Sequence, residues 1–226
     1  MLLTIAPGRG SSLWRAPKPG MAIEFLEGDL SGVAGILGDH YYARWPFRLR
    51  KVSVSVPFML LNLGQDSVTF QLSPAPATDD LLYDPYLYEH APPPDVDPDS
   101  FRQEQVAIDI PDGYVDTLAK WYSVKYSYPD YNLIFVRPGL GISFQVHARR
   151  GEHWEILAGS PIIIAGALVT YDVAPGTEFD LPQGSLHGVI NPGIDEWVAL
   201  KETWTGDFDE EDIDRVFNPN HYGNPS

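Results

Sequence analysis

An all-β fold, a sandwich or barrel of short strands, is the class this 226-residue sequence predicts. Two observations predict it, and a third bounds the chemistry. Gly (20) and Pro (21) are frequent and spread along the chain, so turns interrupt it too often for long helices. Between those turns lie short apolar runs, some in strict alternation. Cysteine is absent, which excludes disulfides, thiolate metal sites and a cysteine nucleophile. A chain of this length buries about 70% of its unfolded surface, so it needs no covalent staple.

Taken in order, Arg50–Val56 reads RKVSVSV, with Val52, Val54 and Val56 on one face of a half-buried strand. Ser67–Leu72 repeats that pattern. Residues 74–100, rich in Pro, Asp and Tyr and without a period, predict a long loop or arm. From Ile110 the pattern tightens. Tyr122–Tyr128, Asn132–Val136, Gly141–His147, Glu152–Leu157, Ile162–Val169, Thr177–Leu181 and Trp197–Glu202 are strand-like and separated by turn residues. One helix is expected near the end, where Asp209 can cap a first turn holding Glu210, Glu211 and Asp212.

Fifteen Lys and Arg against 31 Asp and Glu give a net charge of −16. Phosphate backbones and anionic lipid call for basic patches, so neither nucleic acid nor membrane is the expected partner. The longest apolar stretch, Ile162–Val169, falls far short of the ~20 residues that span a bilayer. The start, MLLTIAPGRGSS, lacks the apolar core of a secretory signal, so a cytoplasmic location is expected. Gly8–Lys18 weakly resembles the Gly-rich loop of sugar nucleotidyltransferases, but the alternating β/α domain that loop requires has no place in this chain.

The chemistry-bearing segment is Gly176–Asn191. Gly176, Pro182, Gly184, His187 and Asn191 are spaced G-x5-P-x-G-x2-H-x3-N, a strand, a tight turn and a return strand that carries a histidine inward. Upstream, Gly141–His147 gives G-x5-H, and Gly159 closes an element holding Glu152, His153, Trp154 and Glu155. These two elements resemble the paired signatures of the cupin superfamily. Pro138, Gly139, Ser143, Gln145, His147, Glu152, His153, Trp154 and Gly159 are similar to the isomerase domain of type II mannose-6-phosphate isomerases, as are Asn191, Pro192 and Gly193. The tail Glu210–Arg215 resembles the acidic helix that ends that domain, and the likeness spans roughly 118–222.

The resemblance implies a cupin barrel, a double-stranded β-helix or jelly roll, over 111–226. Residues 1–110 then form a β-rich extension, with the Pro/Asp/Tyr-rich loop near 74–100, that covers the barrel or builds a homodimer. The implied activity is aldose–ketose isomerisation of a sugar phosphate. His147, Glu152 and His187 would hold a divalent metal, zinc before iron or manganese, with His153 as the alternative ligand. Glu152, Lys201 or Glu202 would supply acid/base chemistry, while Arg149 and Arg215 would contact the substrate. Lys201 and Glu202 face opposite ways on a strand, as do Glu152 and His153.

One departure divides the reading. The signature's second histidine falls at Arg149, which shares a face with His147 on a regular strand and cannot bind metal. Either the remaining ligands suffice and Arg149 holds an anion, or no metal binds and the barrel is a non-catalytic module for a small carbohydrate or organic anion. A two-His, one-carboxylate dioxygenase is a third reading. His40, His90 and His221 sit in loop-like context and are expected at the surface. Trp121 and Trp154 read as core aromatics, and the acidic run Asp207–Asp214 lacks the ligand period of a calcium loop.

Overall fold

Alternation and turn residues dictate the architecture of the chain, a computed structural model that describes residues 1–46, 50–104, 108–207, 209 and 211–221. In the N-terminal part the strands are β1 (Leu2–Ile5), β2 (Leu13–Trp14), β3 (Met21–Glu27), β4 (Val33–Leu37), β5 (His40–Tyr42), β6 (Lys51–Val54), β7 (Phe58–Asn62), β8 (Val68–Ser73) and β9 (Leu81–Tyr83). There follow one helix, α1 (Pro98–Glu104), then β10 (Asp116–Ala119), β11 (Ser123–Ser127), β12 (Asn132–Val136), β13 (Phe144–Val146), β14 (Arg150–Ala158) and β15 (Ile162–Ala165). The chain continues with β16 (Leu168–Thr170), β17 (Glu178–Leu181), β18 (His187–Ile190), β19 (Val198–Gly206) and β20 (Asp214–Phe217). The all-β class is as the turn density predicts.

The chain divides into two compact units. The first comprises Met1–Tyr86, Ala167–Val169 and His221–Ser226, and the second Leu87–Gly166 and Thr170–Asn220. Among the described residues, 87–104 and 108–110 fall in the second unit. In the first unit, a sheet ordered β1-β8-β3-β6 buries Ile23, Val52, Val54, Phe70 and Leu72 against Phe58 and Leu60 of β7. Val52 and Val54 alternate inward with exposed Lys51 and Ser53, as the RKVSVSV pattern requires, but the strand ends at Val54 and Val56 is exposed.

In the second unit, a sheet ordered β10-β11-β12-β19-β14-β17 supplies Ile134, Trp154, Ile156, Val198 and Leu200 to a core shared with Ile163 of β15 and Val189 of β18. β13, β18, β15 and β20 form the facing strands. The outer face of the first of these sheets is apolar as well. Val124, Tyr126 and Phe135 bury against Phe101 of α1.

Three elements differ from expectation. The segment read as loop, 74–100, contains β9 and the start of α1, which begins on Pro98 after Asp97, whose carboxylate accepts from the Ser100 N–H at 2.8 Å. An Asp cap followed by Pro in the first turn is a helix start signal, here masked by the surrounding Pro and Asp. Ile162–Val169 breaks at Gly166, with φ of +61°, into β15 and β16. The terminal helix is replaced by a turn at Glu211 and by β20; Glu210 lies outside the described residues. Asp209 accepts from the Glu211 N–H at 2.9 Å, an Asx turn in place of a helix cap, and β20 instead pairs with β13. Among the described residues no helix is long and apolar enough to cross a membrane.

Candidate functional site

Two strands bring the motif histidines together. Gln145 of β13 sits opposite His187 of β18, and Gln145 and His147, two apart, share the interior face. Gly188 permits this pairing, since a Cβ there would meet Phe144 Cδ1 at 2.7 Å. The turn before β18 is fixed by Gly184, at φ +77°, whose N–H donates to the His147 carbonyl at 2.9 Å. Asn191 spends its amide on structure, donating to the Val136 and Glu196 carbonyls at 2.9 and 2.8 Å.

After His147 the chain bends through Ala148 and Arg149, whose N–H groups donate to the two Asp212 carboxylate oxygens at 3.0 and 2.9 Å. β14 begins beyond the bend, and its alternation buries Arg150, Glu152, Trp154 and Ile156. That bend overturns the expected placement of Arg149. Its side chain is exposed and paired with Asp209, whereas Arg150 enters the interior. The signature register shifts accordingly: Gly139-x5-Gln145-x-His147 puts the substituted histidine at Gln145, and Glu152-x6-Gly159 completes the element.

His147, Glu152 and His187, all buried, bring one donor atom each within 4.8 Å of one another. His147 Nε2 lies 3.0 Å from Glu152 Oε1, and His187 Nε2 lies 3.5 Å from Glu152 Oε2. Both Nδ1 atoms face backbone carbonyls, Asp212 for His147 and Ser185 for His187. This holds a proton on each Nδ1; the His147 Nε2 accepts from Arg150 when the ring is neutral and donates to Glu152 when it is protonated. The Gln145 amide nitrogen is 3.4 Å from each Nε2, and the Trp154 indole N–H donates to Glu152 Oε2 at 3.1 Å. Arg150 adds a cation: Nε donates to Glu152 Oε1 at 2.9 Å, Nη2 to His147 Nε2 at 3.0 Å, and Nη1 to the Asp209 carbonyl at 2.6 Å.

Burial and partners set the protonation states. Burial disfavours a charged Glu152, but its bond to His147 and the nearby His187 and Arg150 outweigh that and hold its pKa well below normal. Burial likewise opposes a charged His147, yet Glu152 and the Asp212 carbonyl raise its pKa. For His187 burial prevails over Glu152, and the pKa falls. Glu202, fully buried, is pushed up to about 7 by burial and by the Glu152 charge, against the Asn132 amide, which donates to its Oε1 at 2.7 Å.

A cavity of about 410 Å³ lies beside the donor set, lined by Lys120, Lys125, Gln145, Arg150, Glu202 and Arg215; Gln145 and Arg150 stand between it and His147, Glu152 and His187. The structure thus gathers His147, Glu152, His187, Glu202 and Arg215, and leaves other expected residues out. His153 points away, with Nδ1 2.7 Å from Asp180, because it neighbours inward Glu152 on the same strand. Lys201 faces outward over the Tyr131 ring at 4.9 Å, for the same reason relative to Glu202. Arg137 lies over Trp197 at 5.5 Å instead of at the cavity. His40, His90 and His221 are exposed, as expected. Lys125 escaped sequence reading, and Arg150 was legible only as one of three arginines, with Arg137 and Arg149, that cluster in sequence near the expected mouth. Their signal is strand register: Arg150 lies two before Glu152, and Lys125 lies between Val124 and Tyr126, whose side chains pack on the opposite face.

The family model described as mannose-6-phosphate isomerase, C-terminal, matches residues 116–218. Over these residues the chain resembles that C-terminal domain. Beyond it, the chain is 36% identical over 83 residues to mannose-1-phosphate guanylyltransferase 2 of Escherichia coli O157:H7, covering 36% of this chain and 17% of that protein. It is also 36% identical over 95 residues to mannose-1-phosphate guanylyltransferase of Escherichia coli strain K12, covering 40% and 18%. The chain therefore spans less than a fifth of the curated relatives it matches. A solved cupin-2 domain from Rhodospirillum rubrum aligns with a TM-score of 0.34 and 20% identity, over 40% of this chain and 68% of that one.

Proposed function

We propose that the cupin domain is a metal-dependent aldose–ketose isomerase acting on a phosphorylated sugar of the mannose 6-phosphate type. The observation that carries this reading is the His147/Glu152/His187 donor set, which Gln145 and Arg150 connect to a cation-lined cavity holding Glu202, a carboxyl pushed up to about 7. The family match supports the same reaction class. The donor set fits a divalent ion, because two imidazole Nε2 lone pairs and a carboxylate converge while both Nδ1 atoms are tied down. A bound zinc, iron or manganese would act there as a Lewis acid that stabilises negative charge on the sugar's C1 and C2 oxygens.

The chain's own residues supply the rest. Glu202, titrating about 7, is matched to take the proton from C2 of the aldose and return it to C1, while a second proton passes between the two oxygens. Asn132 orients that carboxyl through its 2.7 Å hydrogen bond. Lys120, Lys125 and Arg215 hold the anionic end of the substrate at the cavity. Lys201, turned outward, takes no part.

Deuterium exchange into mannose 6-phosphate, followed by NMR with manganese, zinc or iron(II) present, tests this function. The expected result is exchange coupled to interconversion with fructose 6-phosphate, falling roughly 100-fold or more in Glu202→Gln. Absence of exchange in the metal-loaded wild type would refute it. One observation favours the second reading, a non-catalytic carbohydrate or anion module: Arg150 donates to Glu152 and His147, the same donors a metal would use. Sugar-phosphate binding with no exchange under the same conditions would select that reading.

A further inference from the structure

Arg150 stands where the metal reading and the structure pull against each other. Its guanidinium, buried in the domain, donates to Glu152 Oε1 at 2.9 Å and to His147 Nε2 at 3.0 Å. Those are lone pairs that a metal ion held by His147, Glu152 and His187 would require. A permanently charged guanidinium and a divalent cation cannot share them, because the charges repel and each lone pair serves one partner. Arg150 also lines the 410 Å³ cavity, whose further cations Lys120, Lys125 and Arg215 come from the β10–β11 hairpin and from β20. The other cavity carboxyl, Glu202, is held toward its neutral form.

We infer that Arg150 couples metal binding to anion binding in the cupin domain: a cation entering the donor set displaces the guanidinium into the cavity, where it completes an anion site with Lys125 and Arg215. This inference rests on the metal reading and adds to it a residue that links the two ligands. Metal and anion then bind cooperatively, each raising the other's affinity by the same factor, as linkage requires. Metal without an anion is held weakly, since it competes with an internal cation. An anion without metal finds Arg150 engaged. The anion's chemistry is that of a tetrahedral oxyanion, shared by free phosphate or sulfate and by the phosphoryl group of a sugar.

Cobalt(II) titrations of the full chain, read by calorimetry and by the visible d–d bands, test the coupling in chloride buffer, with added sulfate, and with glucitol 6-phosphate. The wild type should bind cobalt roughly 10-fold more tightly with either oxyanion than in chloride. Arg150→Gln, which removes the competing charge, should bind roughly 10-fold more tightly than wild type in chloride and lose the oxyanion effect. Arg150→Lys, which retains the charge, should remain sulfate-dependent, and circular dichroism checks that both variants fold. An effect of glucitol 6-phosphate alone would assign the site to the sugar-borne group, and an effect of both to the oxyanion itself. Cobalt affinity unchanged by both oxyanions, or unchanged or weakened in folded Arg150→Gln, would overturn the coupling and leave the metal site standing. No cobalt binding by any variant would overturn the coupling and the metal reading together.

Discussion

Glu152 and Glu202 sit in one interior, yet their carboxyls are pushed in opposite directions, and their partners explain why. Glu152 faces two imidazoles and a guanidinium, which outweigh its burial; for Glu202 burial and the negative charge of Glu152 outweigh its one amide donor. The folded Glu202 keeps its proton up to about pH 7, against 4.5 ordinarily. Its stabilising contribution is therefore complete below the unfolded pKa and is lost as pH rises through the folded one. In metal-free protein, Glu202→Gln should remove a decline of roughly 3 kcal/mol in unfolding free energy across that window. Urea denaturation at a series of pH values reads it, and an unaltered pH slope in the variant would contradict the assigned environment. Spacing made His147, Glu152 and His187 legible in the sequence as candidates, because the motif residues fix turns and strand register. It hid that Arg150 and not Arg149 turns inward, because counting alternation from His147 crosses the bend at Ala148–Arg149, which depends on the distant carboxylate of Asp212.

At the scale of elements, β13 and β18 must lie close for Gln145 and His187 to face each other, and Gly188 allows the approach. Gly188→Ala drives a methyl group against Phe144, so it should cost about 1–3 kcal/mol of stability by overpacking. Chemical denaturation measures this, and a loss below a few tenths of a kcal/mol would mean that the strands separate without penalty. Strands with strict alternation, such as β6, and fully apolar ones, such as β12, were legible within a residue or two. The terminal acidic segment was not. Its charges suit a helix start, but Asp209 and Asp212 spend their carboxylates on the Glu211, Ala148 and Arg149 amides, and β13 offers β20 an edge to pair with. Helix α1 was missed because Phe101 owes its place to tertiary contact with Phe135 and Trp197, beyond any local period.

For the whole molecule, a net charge of −16 argued against a phosphorylated ligand, yet Lys120, Lys125, Arg150 and Arg215 line one cavity. Local field, set by strand register, governs a site more directly than the sum of charges. The first unit carries no comparable motif, so its sequence revealed strands without a role. The central claim, that His147, Glu152 and His187 form a metal site, is tested most directly by metal content per chain. The protein would be purified without chelator or affinity tag and brought to equilibrium by dialysis against zinc, iron(II) or manganese, beside His187→Ala. The account predicts about one ion per wild-type chain and a clear loss in the variant. Absence of bound metal in the wild type, or equal content in both proteins, would contradict it.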